Sequence, residues 1–276
     1  MNDHIEYYEL LRDVVGIVDP AEYPESWQIA NGCLDLDEEC LTDDPLVIAD
    51  ELMEADKTRQ MAEAVADYVL TVYQDAAEDG NPAAACNLGA LYYDGRTGEQ
   101  SYEKAVEYYT IAAEGGDRQA AENLGYCYYY GRTGEPDYEK AFHYFALGAF
   151  DGHLVSLYKI GDMYRYGYYV PKNEKEAFYI YSYCANTMTP AAEPLCGADV
   201  YMRLADCFAD GIGTEKLPEP ALQLYQKAEQ LFYDRLKNGD FMIRKNYLRC
   251  IKRQNELRQA LADELPGYEW TDWHDD

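Results

Sequence analysis

The side chains best suited to metal ligation or nucleophilic attack are few and scattered in this sequence. Its four histidines stand at 4, 143, 153 and 274, and its eight cysteines at 33, 40, 86, 127, 184, 196, 207 and 250. No two cysteines form a C-x-x-C pair and no histidine lies at zinc-like spacing from one, so no metal site is expected. His143 and His153 have no recurring acid or cysteine partner. A G-x-S-x-G elbow, a G-x-x-x-x-G-K-S/T loop and a G-x-G-x-x-G after a strand are all missing. The loop GRTGE, at Gly95 to Glu99 and again at Gly131 to Glu135, offers Arg and backbone amides to a phosphate. Its duplication at the same helix end makes turn geometry the better explanation. No catalytic residue and no cofactor is expected, and an enzyme would need a pocket holding His143 or His153 beside a carboxylate.

What the chain does contain is repetition. ACNLGALYYDGRTGEQSYEKAVEYYTIAAEGG begins at Ala85, and AENLGYCYYYGRTGEPDYEKAFHYFALGAFDG begins 36 residues later at Ala121. Further copies begin at Leu157 and, after eight extra residues, at Tyr201, and a half copy covers Tyr68 to Gly80. A period of this length marks stacked supersecondary units.

Punctuation divides each unit into two helices. Asn81 and Asp117 suit the first N-cap, where a short polar side chain accepts from an orphan backbone N–H, and His153 is a poorer choice in the third unit. Gly95, Gly131, Gly167 and Gly211 end the first helix in a conformation that costs least without a β-carbon. Ser101, Asp137 and Asn173 then cap the second helix. Within the first helix Ala85, Leu88, Gly89 and Tyr92 recur at i, i+3, i+4 and i+7, a single buried stripe. One hairpin cannot bury that stripe alone, so the hairpins must stack, and the expected fold is an all-α solenoid of antiparallel helix pairs with helical caps.

The pattern A-x-x-L-G-x-x-Y-x-x-G, a polar turn, then K-A-x-x-Y-Y-x-x-A-A-x-x-G resembles the Sel1-like repeat family, relatives of the tetratricopeptide repeats. The resemblance covers about residues 60 to 232 and weakens in the fourth unit, where Ala205 replaces the glycine. It implies a curved, right-handed superhelix that serves as an adaptor for other proteins. A cysteine-rich, exported branch of the family pairs cysteines within each repeat and is associated with penicillin-related hydrolysis. This chain lacks that pairing, and Cys127 and Cys207 share a position with Leu91 and Met163, so they read as mid-sized apolar side chains.

Composition sharpens the partner question. The 276 residues hold 52 Asp plus Glu against 23 Lys plus Arg, a formal charge of −29, together with 29 tyrosines. Such a surface repels nucleic acid and anionic membranes. The N-terminus carries no signal-like run and no stretch is apolar enough to span a bilayer, so a soluble cytoplasmic protein is expected. Residues 1–66 carry 18 acids and 3 bases, residues 67–232 carry 25 and 12, residues 233–262 carry 3 and 8, and residues 263–276 carry 6 and none. This gives an acidic N-terminal segment with one helix (1–44), a repeat solenoid (45–232), basic capping helices (233–262) and an acidic tail (263–276). Asp19 to Asp44 reads as irregular chain.

Helical geometry of about 100° per residue puts positions 87, 90 and 94 opposite the buried stripe. Their equivalents run Asn87, Ala90, Asp94; Asn123, Tyr126, Tyr130; Lys159, Asp162, Tyr166; and Arg203, Asp206, Asp210. In related solenoids this face lines a concave groove, so these residues are the candidate site for a peptide or protein partner, with Tyr126, Tyr130 and Tyr166 as aromatic anchors and Asn123 as a backbone-bonding amide. The leading function is an interaction scaffold. The alternative is an acidic inhibitor or immunity protein that neutralises a basic effector such as a nuclease.

Overall fold

The computed structural model describes residues 3–34, 44–55, 60–150 and 152–264, which are helical throughout apart from short connections. The chain divides into two compact units between Leu147 and Gly148. In the first, α1 (Asp3–Ile17), α2 (Pro24–Leu34) and α3 (Pro45–Glu54) precede α4 (Glu63–Glu78), α5 (Pro82–Asp94), α6 (Tyr102–Glu114), α7 (Arg118–Tyr129) and the start of α8 (Tyr138–Phe150). One core joins Leu11, Val14, Ile48, Leu52, Val69 and Leu88, and the next joins Ala85, Ala105, Tyr109, Ala112 and Leu124. The stripe of α5 is thus shared, Leu88 packing with the helices before it and Ala85 with α6 and α7.

The expected caps form. Asn81 Oδ1 accepts from the amides of Ala83 and Ala84 at 3.0 and 3.2 Å, Asp117 from Ala120 at 2.7 Å, Ser101 from Lys104 at 3.2 Å, Asp137 from Lys140 at 3.0 Å and Asn173 from Glu176 at 3.2 Å. His153 starts its helix without a side-chain capping bond. Gly95 and Gly211 close theirs at φ of 73° and 75°, where a β-carbon would be strained.

The helical glycines have a different purpose. A β-carbon on Gly89 would stand 2.5 Å from the Tyr109 ring, on Gly125 2.5 Å from Phe145 and on Gly161 2.7 Å from Tyr181. The two helices of each of these three hairpins approach through that gap, and an aromatic ring fills it. Gly125→Ala should therefore cost about 1–3 kcal/mol by overpacking, and adding Phe145→Leu should recover part of the loss. Urea denaturation of the three proteins checks this; an unchanged midpoint for Gly125→Ala would mean the ring moves aside freely.

The N-terminal segment departs from expectation, since 1–44 contains two helices. Pro24, inside the stretch expected to be irregular, sits in the first turn of α2, where a missing N–H costs nothing. Ala30 is fully buried, Ile29 packs on the core, and Trp27 Nε1 donates to the Val15 carbonyl at 3.2 Å. The DLDEEC run and the 265–276 tail, with Trp270 and Trp273, lie outside the described residues.

The second unit holds α9 (Leu154–Tyr166), α10 (Glu174–Asn186), a π-helical turn at Glu193–Gly197, α11 (Ala198–Asp210), α12 (Pro218–Lys237), a 3-10 turn at Phe241–Ile243 and α13 (Arg244–Glu264). The inserted residues before α11 become the π turn and lead straight into that helix. The boundary expected at 232/233 falls inside α12, which continues to Lys237 because no glycine stops it until Gly239, at φ of 90°. Tyr201, Ala205, Tyr225, Phe232, Ile243 and Cys250 form the core that binds α11, α12 and α13.

Candidate partner-binding face

In the second unit the face assigned to a partner is instead sealed. Lys159, Asp162 and Asp206 are buried, and the Arg203 side chain is 14% exposed. Tyr181 OH donates to Asp162 Oδ1 at 2.7 Å, while Arg203 grips the same carboxylate through Nε at 2.7 Å and Nη2 at 2.8 Å. Arg203 Nη1 also bonds Asp199, and its guanidinium lies 4.5 Å from the centre of the Tyr158 ring. One layer on, Asp206 accepts from Tyr225 OH at 2.5 Å, from Arg249 Nη2 at 2.6 Å and from Arg165 Nη1 at 3.1 Å. Arg253 reaches Asp210 at 2.6 Å.

The expected exposure fails here for a geometric reason. The side of a first helix opposite its own hairpin seam faces the next hairpin, and a long cation from that hairpin closes over the carboxylate. Burial alone would drive Asp162 toward its neutral form. The Arg203 charge and hydrogen bonds, Lys159 and the Tyr181 hydroxyl outweigh it and hold the carboxyl below its usual range. Burial, with the Asp162 charge beside it, pushes the Tyr181 hydroxyl far above its usual range.

At the equivalent position the first unit has a tyrosine–carboxylate bond without an arginine, on an exposed Asp50. Tyr73 OH donates to Asp50 Oδ1 at 2.6 Å and Asn87 Nδ2 donates to the same oxygen at 3.2 Å. In the next two hairpins the carboxylate is replaced by Ala90, on the helix facing Tyr109, and by Tyr126, whose ring meets Phe145 edge-on at 5.6 Å and 88°. Tyr126 stacks on Tyr130 at 6.0 Å and 12°. Tyr126 and Asn123 are half-buried, Tyr130 is 50% exposed, and Asp94 is exposed with its carboxylate on the Arg96 amide at 2.9 Å. Asn123 Oδ1 accepts from Gln119 at 3.3 Å. In the second unit Tyr166 remains exposed, beside Arg165 and Tyr168.

The family model for the Sel1 repeat matches residues 82–117, 118–153, 154–183 and 198–231, in register with the hairpins α5–α6, α7–α8, α9–α10 and α11–α12. The chain belongs to the Sel1 repeat family. A Sel1 repeat protein from Oxalobacter formigenes is similar in structure at a TM-score of 0.61 and 21% identity, covering 98% of this chain and 90% of that one. c5321, a protective antigen present in uropathogenic Escherichia coli strains displaying an SLR fold, is similar at a TM-score of 0.54 and 20% identity; the likeness covers 85% of this chain and 55% of that one. No curated protein matches the chain. At these identities the likeness shows the fold, an all-α solenoid. Sel1 repeat solenoids are in general protein-interaction scaffolds and typically not enzymes.

Sequence reasoning missed the use of the GRTG arginines in these Sel1 repeats. Arg96 donates to the carbonyls of Met53 at 2.7 Å and Ala55 at 3.1 Å, tying its loop to the end of α3. Arg132 bonds Tyr93 OH at 2.9 Å and lies 5.4 to 5.6 Å from the ring centres of Tyr93, Tyr102 and Tyr130. Each loop arginine thus staples its hairpin to the preceding one. The available signal was the arginine itself, which turn geometry does not require.

The described cysteines remain thiols. Burial pushes Cys86 up to about 12 and Cys127 up to about 11, so neither supplies a thiolate nucleophile near neutral pH. Among the described residues no His, Cys, Asp and Glu cluster could hold a metal, and no helix is long and apolar enough to cross a membrane.

Proposed function

We propose that the chain is a scaffold that binds a peptide or protein segment on the first-helix face of its N-terminal unit. Tyr126 and Tyr130 act as anchors, Asn123 supplies an amide, and Asn87 and Asp94 flank them on α5. The supporting observation is the substitution at the node position. Where α3, α9 and α11 place a hydrogen-bonded carboxylate, α7 places a stacked ring pair with half of Tyr130 open to solvent. Stacked tyrosines offer broad contact area with little side-chain freedom left to lose. Lys159, Asp162, Arg203 and Asp206 act as fasteners between hairpins, and Tyr166 is the residue of that unit left to meet a partner.

Affinity capture from native lysate tests this with Tyr126→Ala plus Tyr130→Ala. Losing two anchors of about 2 kcal/mol each weakens a complex several-hundredfold, so the captured partner should vanish. Tyr179→Ala, on the exposed side of α10, should leave capture intact. Unchanged recovery by the double variant, with helical content preserved by circular dichroism, overturns the reading.

A second reading, an inhibitor of a basic effector, draws on charge. Arg165, Arg203 and Arg249 are all spent on buried carboxylates, which leaves the acid excess to the surface. It requires an association rate that falls steeply between about 50 and 300 mM salt; a flat profile removes it.

A further inference from the structure

Two surfaces of opposite charge, one in each unit, are suited to each other. We propose that they join copies of this chain head to tail, the basic face of α13 in one copy docking into the acidic cleft between α2 and α3 of the next.

The acceptor is an open cleft of about 650 Å³ with Ile29 and Val47 on its floor and Glu25, Asp50, Glu51 and Glu54 around it. Val47 is 41% exposed at the surface of a helix that buries Ile48, Ala49 and Leu52 on its other side. The donor combines the same ingredients with the sign reversed. Phe241, Met242 and Leu248 are exposed at 74%, 91% and 52%, among exposed Arg244, Lys245 and Lys252. Arg244, Leu248 and Lys252 stand at i, i+4 and i+8, so they share one stripe of α13. Arg249 and Arg253 turn the other way, toward Asp206 and Asp210, and Lys252 makes only a long, solvent-exposed pair with Glu256 at 3.7 Å, which an incoming carboxylate can displace.

Each surface keeps apolar side chains inside a charged rim, and the rims are complementary on one and the same chain. A second copy is therefore the occupant that satisfies both surfaces with one contact. The patches differ, so the contact is heterologous and builds a ring or an open chain of copies.

Sedimentation equilibrium on the full chain, over a wide concentration range and at low and high salt, tests the proposal. The wild-type mass should rise with concentration at low salt and return to that of the monomer at high salt. Glu25→Lys/Glu51→Lys/Glu54→Lys and Arg244→Glu/Lys245→Glu/Lys252→Glu should each weaken self-association at least about tenfold. Because the two variants exchange signs, mixing them should restore assembly. A wild-type chain that stays monomeric at low salt overturns the proposal. So does association that either variant leaves intact, or a mixture of the two variants that stays monomeric.

Discussion

Asp206→Ala should cost the second unit about 3–5 kcal/mol, the range for removing one member of a buried ion pair. The carboxylate is 1% exposed and three groups converge on it. Of these, Arg249 is 44% exposed and can return to water, so its loss contributes little. The Arg165 side chain is 11% exposed and would be left as a buried cation facing an apolar methyl group. The Tyr225 hydroxyl, in the same core, would lose its acceptor, a penalty of about 1–3 kcal/mol for a buried donor. Asp206→Asn keeps an acceptor for Tyr225 but no charge for Arg165, so its loss should be intermediate. Asp210→Ala breaks an exposed pair with Arg253 and should cost less than about 1 kcal/mol. Guanidinium denaturation of the three variants ranks them; if Asp206→Ala and Asp210→Ala were equal, the node would not be what fastens α11 to its neighbours.

The contrast between Asp206 and Asp210 also locates the limit of what the sequence discloses. Repeat length, hairpin boundaries and caps are local signals: Asn81, Ser101 and Gly95 each act within four or five residues of their own position. The glycine stripe was legible as a buried position, although the rings that require it lie some twenty residues downstream. The sealed face was not legible, because periodicity within one helix says which side leaves the hairpin seam and nothing about what the following hairpin puts there. Asp162 meets Arg203 across 41 residues, an interval lengthened by the insertion before α11. A weaker clue existed. Asp162 and Asp206 each precede a tyrosine by 19 residues, Tyr181 and Tyr225, whereas Ala90 and Tyr126 stand before Tyr109 and Phe145. Both acids stand opposite a hydroxyl and Phe145, which has none, stands opposite Tyr126, as a hydrogen bond between the helices of one hairpin demands; Tyr109 keeps its hydroxyl opposite Ala90, which blurs the pattern. The helix inside 19–44 starts at Pro24, and a residue that breaks a helix interior is at home in a first turn.

Arg203→Met should also cost about 3–5 kcal/mol near neutral pH, but with a distinctive dependence on acid. In the wild type the Asp162 carboxyl is held below its usual range, so its ionised form contributes stability that is fully present above the unfolded-state value, about 3.9. That contribution is lost as pH falls through the lower, folded value. Without Arg203, burial becomes the dominant influence on Asp162, opposed only by Lys159 and the Tyr181 hydroxyl. The variant then holds a carboxylate that would rather be protonated, and its penalty is greatest where the group is ionised. The stability gap between the two proteins should therefore narrow as pH falls from about 7 toward about 3, because the variant takes up its proton and sheds its penalty while the wild-type carboxylate, held lower, is still ionised. Arg203→Lys should lie between them, because a lysine restores the charge but cannot reproduce the two-pronged grip at 2.7 and 2.8 Å. Denaturation midpoints across that pH range decide the matter. A gap that stays constant would assign the role of Arg203 to its stacking over Tyr158 and leave Asp162 without a part in holding α9 to α11.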